Sequence, residues 1–383
     1  MLYKLKDIFD LQMGKTPSRN NIEYWNTNDY KWVSIADLTK TDKYIYDTKE
    51  YLSKKAVNES GIKIIPANTV IMSFKLSIGK TAITAEDMYS NEAIMAFHDK
   101  HIVEILPEYI FYLFKYKNWD DGSNKAVMGK TLNKAILSEV EIDICSIEEQ
   151  RKIVNVLDKI MNLISARKKE LSYLDTFTKA RFVELFGDMT LARNDWEKLL
   201  LCDVCDVRDG THDSPKYFTE GYPLITSKNV SGGKIDFSDC NLICEEDYNK
   251  INQRSKVDVG DILMPMIGTV GKPVIVDIQK KFAIKNVALI KFRENSAVVN
   301  SFIKVLLESD YFDREVINKV RGGTQKFISL GDIRKLNICL PPIKLQNQFA
   351  AFVNEIDKSK SAVKKALDET QLLFDSLMQE YFG

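Results

Sequence analysis

Three kinds of residue in this chain have the types and spacing that could do chemistry: Gly-Lys-Thr tripeptides, paired cysteines and a few histidines. Gly-Lys-Thr occurs at 14–16, 79–81 and 129–131. A phosphate-cradling loop needs another glycine five positions earlier, where the backbone must approach the phosphates closely. Those positions hold Phe9, Phe74 and Asn124, so none of the three qualifies. Cys202-x-x-Cys205 and Cys240-x-x-x-Cys244 have zinc-like spacing within each pair. Cys205, however, matches Phe9 in an internal repeat, which marks an apolar core position, and the first repeat has none of these cysteines. Six cysteines without a secretion signal read as thiols. His98-Asp-Lys-His101 reads as a solvated turn rather than a metal site. The chain has no Asp/Asn-Pro-Pro-aromatic motif, no Phe-x-Gly-x-Gly loop and no Pro-Asp dipeptide. No catalytic constellation or metal site is expected.

What remains are glycine-containing loops with cationic, amide and hydroxyl side chains at matched places in both halves. The first half offers Lys15, Thr16, Ser18, Arg19 and Asn20, then Lys75, Ser77 and Lys80, then Lys130, Asn133 and Lys134. The second offers Arg208, His212 and Lys216, then Ser227, Lys228 and Asn229, then Thr269 and Lys272, then Arg321, Thr324, Gln325 and Lys326. Lysine and arginine neutralise phosphates, while Arg, Lys, Asn, Gln and Ser can hydrogen-bond base edges in the major groove. Any one such loop is also compatible with a solvated turn. Their coincidence in both halves favours DNA. Trp25, Trp32, Tyr217 and Tyr222 read as core or strand residues, not as stacking platforms.

The elements that must position these loops are written twice. Leu5-Lys-Asp-Ile-Phe-Asp10 matches Leu201-Cys-Asp-Val-Cys-Asp206, and Gly14 matches Gly210, each 196 positions apart. Asn68-Thr-Val-Ile-Met-Ser73 matches Gly260-Asp-Ile-Leu-Met-Pro265, and Ser77-Ile-Gly-Lys80 matches Thr269-Val-Gly-Lys272. A tandem repeat of about 196 residues is far longer than a solenoid unit and implies a duplicated module. Within each copy, residues 69–74 and 262–267 read as buried strands, and residues 108–117 and 299–312 as helices. Residues 87–90 and Gly232-Gly233 read as loops.

Each module ends in a stretch of 3.5-residue apolar period, the seam of a coiled coil. Ile153, Leu157, Ile160, Ile164, Leu171, Leu174 and Leu185 correspond to Phe349, Val353, Ile356, Lys360, Leu367, Thr370 and Tyr381, with Val363 and Phe374 also on the second seam. Arg167 and Arg181 occupy seam positions in the first copy. Off-type residues that differ between the copies suit a pair of fixed register. Ser146-Ile-Glu-Glu149 has capping-box spacing, Pro342 suits a helix start, and Gly187 and Gly383 suit helix stops. The expected fold is α+β: a globular domain at 1–145, a long helix at 146–187, a second globular domain at 188–341 and a second long helix at 342–383. The two helices are expected to bury their seams against each other as an antiparallel coiled coil.

Composition limits the function classes. The chain has 383 residues, 45% hydrophobic and 28% charged, which is ordinary for a globular protein. No run approaches a membrane span, and the start, Met1-Leu-Tyr-Lys-Leu-Lys-Asp7, has no apolar signal core. A cytoplasmic protein is expected. The 54 basic and 54 acidic residues cancel, and residues 1–145 and 188–341 are each near balance. DNA binding would therefore rest on local patches.

The strands entering the long helices read Ile142-Asp-Ile-Cys-Ser-Ile-Glu-Glu-Gln-Arg-Lys-Ile153 and Ile338-Cys-Leu-Pro-Pro-Ile-Lys-Leu-Gln-Asn-Gln-Phe349. With the tandem arrangement, they resemble the specificity (S) subunits of type I restriction–modification systems, whose signature is apolar-x-apolar-Pro-Pro-apolar-x-x-Gln. Cys145-Ser146 replaces the two prolines in the first copy, and Lys344-Leu345 precedes Gln346 in the second; both departures concern the helix cap. The resemblance implies a non-catalytic subunit with two target-recognition domains, each reading one half of a split, asymmetric sequence in double-stranded DNA. The helices would set the spacer and dock two methyltransferase (M) subunits, with restriction (R) subunits also recruited. S-adenosylmethionine, ATP and Mg would belong to those partners, and this chain would bind no cofactor. Arg167-Lys-Lys169, Lys179 and Arg181 would be either a partner surface or a solvated helix face. The rival readings are a protein-binding scaffold with two α+β domains on a coiled coil, and a nuclease or methyltransferase of unrecognised motif.

Overall fold

The structure, a computed structural model, describes residues 1–25, 27–75, 77–119, 132–189, 196–267, 272–319 and 327–383. The chain forms two compact units: Met1–Arg167 with Ala366–Gly383, and Lys168–Lys365. Each unit therefore takes one part of each long helix.

In the first unit, alternating apolar residues build a sheet covered on both faces. Its five strands run in the order Phe9–Met13, Ile94–Asp99, Val70–Ser73, Thr81–Thr84 and Tyr44–Ile45. Neighbours are antiparallel except the last pair. Val70, Met72, Met95 and Phe97 face a cluster that includes the helix Pro107–Tyr116. Ile71, Ala82, Ile94 and Ala96 face the opposite cluster with Val33 and Leu38. The split of consecutive residues between faces is the period-2 pattern of a strand. A second sheet orders Glu50–Leu52, Tyr30–Val33 and Tyr89–Ser90. Tyr89–Ser90, expected as loop, is thus a short strand, because it pairs in parallel with Trp32 and Val33.

The second unit repeats the plan. Its main sheet orders Asp206–Asp209, Val287–Lys291, Ile262–Pro265 and Val274–Ile275. Its second sheet orders Asn241–Ile243, Tyr222–Ile225 and Ala283–Ile284. Gly232 and Gly233, at φ 59° and 76°, form the turn of a small hairpin between Val230–Ser231 and Lys234–Ile235. The helix expected over 299–312 is two helices, Asn300–Leu307 and Asp310–Glu315. The break falls at Ser309, whose hydroxyl donates to Leu306 O (2.6 Å) and caps the next helix by accepting from Phe312 N–H.

The long helices span Ile147–Phe186 and Ile343–Phe382, 40 residues each. The strand before each pairs with the first strand of its own module: Glu141–Asp143 with Leu2–Lys4, and Asn337–Leu340 with Glu197–Leu200. The signature glutamine then locks the junction. Gln150 and Gln346 are both fully buried. Gln150 Oε1 accepts from Leu106 N–H (2.9 Å), and its Nε2 donates to Glu104 O and Cys145 O (3.0 Å each). Gln346 Oε1 accepts from Val299 N–H (2.9 Å), and its Nε2 donates to Ala297 O (3.0 Å) and Pro341 O (2.8 Å). Each amide thus ties the helix start to the segment that leads into the domain helix. At the first start, Ser146 Oγ also accepts from Glu149 N–H (3.3 Å).

The seam differs in detail from the expected one. Ile153, Leu157, Ile160 and Ile164 are buried, but together with the aromatic residues of Pro107–Tyr116 as well as with Phe374 and Met378. Tyr109 packs on Phe382 (ring centroids 5.5 Å) and Tyr112 on Phe374 (6.3 Å). The seam is therefore shared with the globular body, not confined to the helix pair. In the second unit Phe349, Val353 and Ile356 are buried, yet Leu171, Leu174 and Val363 are only partly buried, as is Leu367 in the first. Phe182 and Phe186 carry that packing instead, against Phe302 and Phe349. Antiparallel order follows from pairs within this unit: Asp175 with Lys360 (2.6 Å), Phe177 with Phe352, and Phe182 with Phe349. Arg181 turns off the seam to Glu184 (2.7 Å), while Arg167, in the first unit, donates to Ala366 O. All three off-type seam cations, Lys360 included, reach a polar partner.

Candidate nucleic-acid interface

Two of the matched loops in each unit, those beginning at Gly14 and after Ser73 and those beginning at Gly210 and after Pro265, come together because strand register brings their roots into one row. In the first unit Met13 is opposite Met95, Met95 opposite Met72, and Met72 opposite Thr81. The loops that follow Met13, follow Ser73 and precede Ile94 therefore leave the same end of the sheet. In the second unit Asp209 and Met264 both lie opposite Ala288, and Leu263 lies opposite Val274. The loops after Asp209, after Pro265 and before Val287 again share one end. Phe327 pairs with Ile267 at that end.

Gly14 and Gly210, aligned by the repeat, explain how the first loop of each set departs. A Cβ on Gly14 would lie 2.3 Å from Asn91 O and Ser90 Oγ; one on Gly210 would lie 2.2 Å from Ile284 O. The strand end passes so close to the second sheet that only glycine fits. Gly14 N–H then donates to Ile94 O (3.1 Å) and Lys15 N–H to Ser90 O (2.8 Å). Gly210 N–H donates to Val287 O (3.1 Å) and Thr211 N–H to Ile284 O (3.0 Å).

Within these loops the candidate side chains divide sharply. Lys80, Lys134, Lys216 and Lys272 are exposed, with no side-chain partner among the described residues, and so is Asn20. Ser18 and Ser77 are exposed. Lys75 is half-buried with its Nζ 5.3 Å from the Phe74 ring centroid. Lys15 is exposed but its ammonium donates to Ser60 O, and Thr16 donates to Glu92. Arg19 is held by Glu50 and stacks on Trp25, its Cζ 3.8 Å from the ring centroid. Trp32 is buried and donates to Lys15 O (3.1 Å).

In the second unit Arg208 is fixed by Asp206 and by Arg254 O (2.8 Å). His212 lies between Asn286 Oδ1 (2.7 Å) and Asp209 Oδ2 (2.8 Å). Those two acceptors raise its pKa above the ordinary histidine value. Ser227 donates to Asn286 O (3.2 Å), and Lys228 pairs with Asp239 (3.1 Å). Lys130, Thr269, Arg321, Thr324, Gln325 and Lys326 lie outside the described residues.

Two assignments change, those of Asn229 and Tyr217. Asn229 is 3% exposed, its Oδ1 taken by Thr226 and its Nδ2 by Asp236 O and Asp239 O, so it braces a turn and cannot reach a base. Asn133 Oδ1 caps the helix Lys134–Glu139 by accepting from Ile136 N–H (2.9 Å). Tyr217, expected as a core or strand residue, is 51% exposed and lies outside the strands. Sequence reasoning also missed Arg254. From the helix Glu245–Ser255 its guanidinium donates to the Asp209 carboxylate and to Gly210 O (3.2 Å). Its position near a helix end gave no signal of that reach.

Cys205 is buried, and burial pushes its thiol up to about 12, which disfavours the thiolate a metal needs. Among the described residues no group of three or more His, Cys, Asp or Glu side chains could hold a metal ion, and no helix is long and apolar enough to cross a membrane.

Residues 1–173 and 193–370 each match the family model of the Type I restriction modification DNA specificity domain. The chain is similar to the Type I restriction enzyme MjaIX specificity subunit of Methanocaldococcus jannaschii, with 28% identity over 92% of this chain and 85% of that one. It is also similar to the Type I restriction enzyme EcoKI specificity subunit of Escherichia coli, with 21% identity over 96% of this chain and 85% of that one. Among solved structures, the type I restriction–modification S subunit from M. genitalium has a TM-score of 0.58 at 15% identity, covering 100% of this chain and 96% of that one. That likeness is one of fold.

Proposed function

The chain belongs to the family of type I restriction–modification DNA specificity subunits, and from that premise we propose how it divides its work. As a specificity subunit it recognises the DNA target, is non-catalytic and acts with M and R subunits. In the proposed division, residues 1–145 read one half of a bipartite, asymmetric target and residues 188–341 read the other. The long helices set the spacer and dock two M subunits. S-adenosylmethionine, ATP and Mg are bound by the partners, and the complex works in the cytoplasm.

The observation that carries this reading is the shared sheet end from which three loops emerge in each unit. One such edge with exposed lysine and amide groups can meet phosphates and base edges at once. The glycine-enforced departure of the first loop, repeated in both units, gives that loop the same exit path in each. A protein-binding scaffold has no need of unpaired lysines at matched loop positions.

The test is DNA binding by the complex with its M subunits. Charge reversal at Lys80 or Lys272 is expected to weaken binding to all sequences and to lower the slope of log K against log salt by about 1. Substitution at Asn20 or Gln325 should instead change sequence preference. Unchanged binding in all four variants would refute this assignment of the loops.

A further inference from the structure

We infer that Tyr217 is a specificity-determining residue of the second globular body, its ring making an apolar contact with base edges beside a phosphate contact from Lys216. The inference rests on the DNA-reading role proposed above and names a residue that the sequence analysis read as a core or strand residue.

Tyr217 and Phe218 are adjacent aromatic residues, 51% and 49% exposed. Along an ordinary half-buried strand one of two neighbours would face the core. Here both leave much of their rings in water, at a cost that a partner surface would remove. The loop that carries them is fixed at several points. Thr211 N–H donates to Ile284 O (3.0 Å), Asp213 N–H to Thr211 Oγ1 (3.1 Å), Lys285 Nζ to Ser214 Oγ (2.6 Å) and Phe218 N–H to Leu242 O (2.9 Å). The backbone that carries the rings is held before any partner arrives, so little of its ordering entropy is lost on contact.

The repeat separates the general from the particular in this loop. Tyr30–Val33 and Tyr222–Ile225 are the middle strands of the two second sheets, 192 positions apart, and in that register Tyr217 falls at the place of Trp25. Trp25 is half-buried, packed on Trp32 (ring centroids 5.0 Å) and under Arg19, whereas Tyr217 is exposed. The two modules must read different half-sites if the target is asymmetric, and this position differs between them in exposure. Lys216 is exposed and unpaired among the described residues, so it is free to meet a phosphate beside the ring. An aromatic ring can meet a thymine methyl or an exposed base edge in a groove.

The experiment measures binding of the complete complex to three duplexes: the mapped target, the target with the second body's half-site scrambled, and the target with the first body's half-site scrambled. Tyr217→Ala is expected to lower affinity for the mapped target about five- to a hundredfold. It should leave affinity for the duplex scrambled in the second body's half-site within about twofold of wild type, with the salt slope unchanged. Tyr217→Phe should retain most of the wild-type preference. Lys216→Ala should weaken binding to all three duplexes and reduce the salt slope by about 0.9. The inference is overturned if Tyr217→Ala leaves the mapped target unaffected, or weakens mapped and scrambled duplexes equally. A wild-type complex that does not distinguish the three duplexes would overturn the DNA-reading role itself, and that result is visible without any variant.

Discussion

At the residue scale, Gln150 and Gln346 hold the junctions between the globular bodies and their long helices. Each uses its side-chain amide to satisfy three backbone groups in a fully buried site. Gln346→Ala would strand Val299 N–H and two carbonyls out of reach of water, and is expected to destabilise the fold by about 2–3 kcal/mol. Chemical denaturation checks this, with Lys344→Ala on the exposed side of the same turn as the neutral control. In the sequence these glutamines stand out only as matched letters at the start of each helix, because two of the three backbone partners of each lie more than 40 positions away. Two histidines should titrate on opposite sides of their ordinary value of about 6.5. His98 is lowered because burial disfavours its cation, and His212 is raised because Asn286 and Asp209 accept from it. His212 thus adds stability that is present below about pH 6.5 and is lost as pH rises through its raised folded pKa. His98 behaves oppositely: its contribution is present above about pH 6.5 and is lost as pH falls through its lowered folded pKa. Imidazole NMR titration reads both directions. Equal midpoints for the two would contradict the placements of both rings.

At the element scale, the long helices were legible in length, start and end, because the 3.5-residue seam, the Ser146 cap and the terminal glycines are local signals. Gly187, at φ 75°, ends its helix as a left-handed stop. The partner of each seam was not legible. Periodicity marks which residues are apolar on one side but cannot say that Tyr109 and Tyr112, some 40 positions earlier in the chain, take part of that side. For the same reason the deeper positions Phe182 and Phe186 were passed over in favour of Leu171 and Leu174, which keep the strict heptad but are only partly buried. Leu157→Ala, at a fully buried seam position, is therefore expected to cost about 2–5 kcal/mol, whereas Leu171→Ala should cost well under half of that. Thermal and denaturant unfolding of the two variants would separate them. Equal losses would restore the uniform heptad seam. The loop residues divide along similar lines: exposed Lys80 and Lys272 follow from composition, but burial of Asn229 depends on Asp236 and Asp239 folding back over it.

At the scale of the whole molecule, duplication is the organising fact. Each unit repeats the same order of four main-sheet strands, to which the first adds Tyr44–Ile45, together with the same glycine-enforced loop departure and the same glutamine lock, while the loop side chains differ between copies. A repeated frame with divergent loops is what two readers of unlike half-sites require, and strand order was the part that only the structure could supply. The most direct measurement is a genome-wide map of adenine methylation after co-expression of this chain with its M subunit, repeated with residues 1–145 or 188–341 exchanged for those of another family member. The predicted result is a split motif in which each exchange changes one half and leaves the other intact. A single contiguous motif, or a map in which either exchange alters both halves together, would contradict two independent readers.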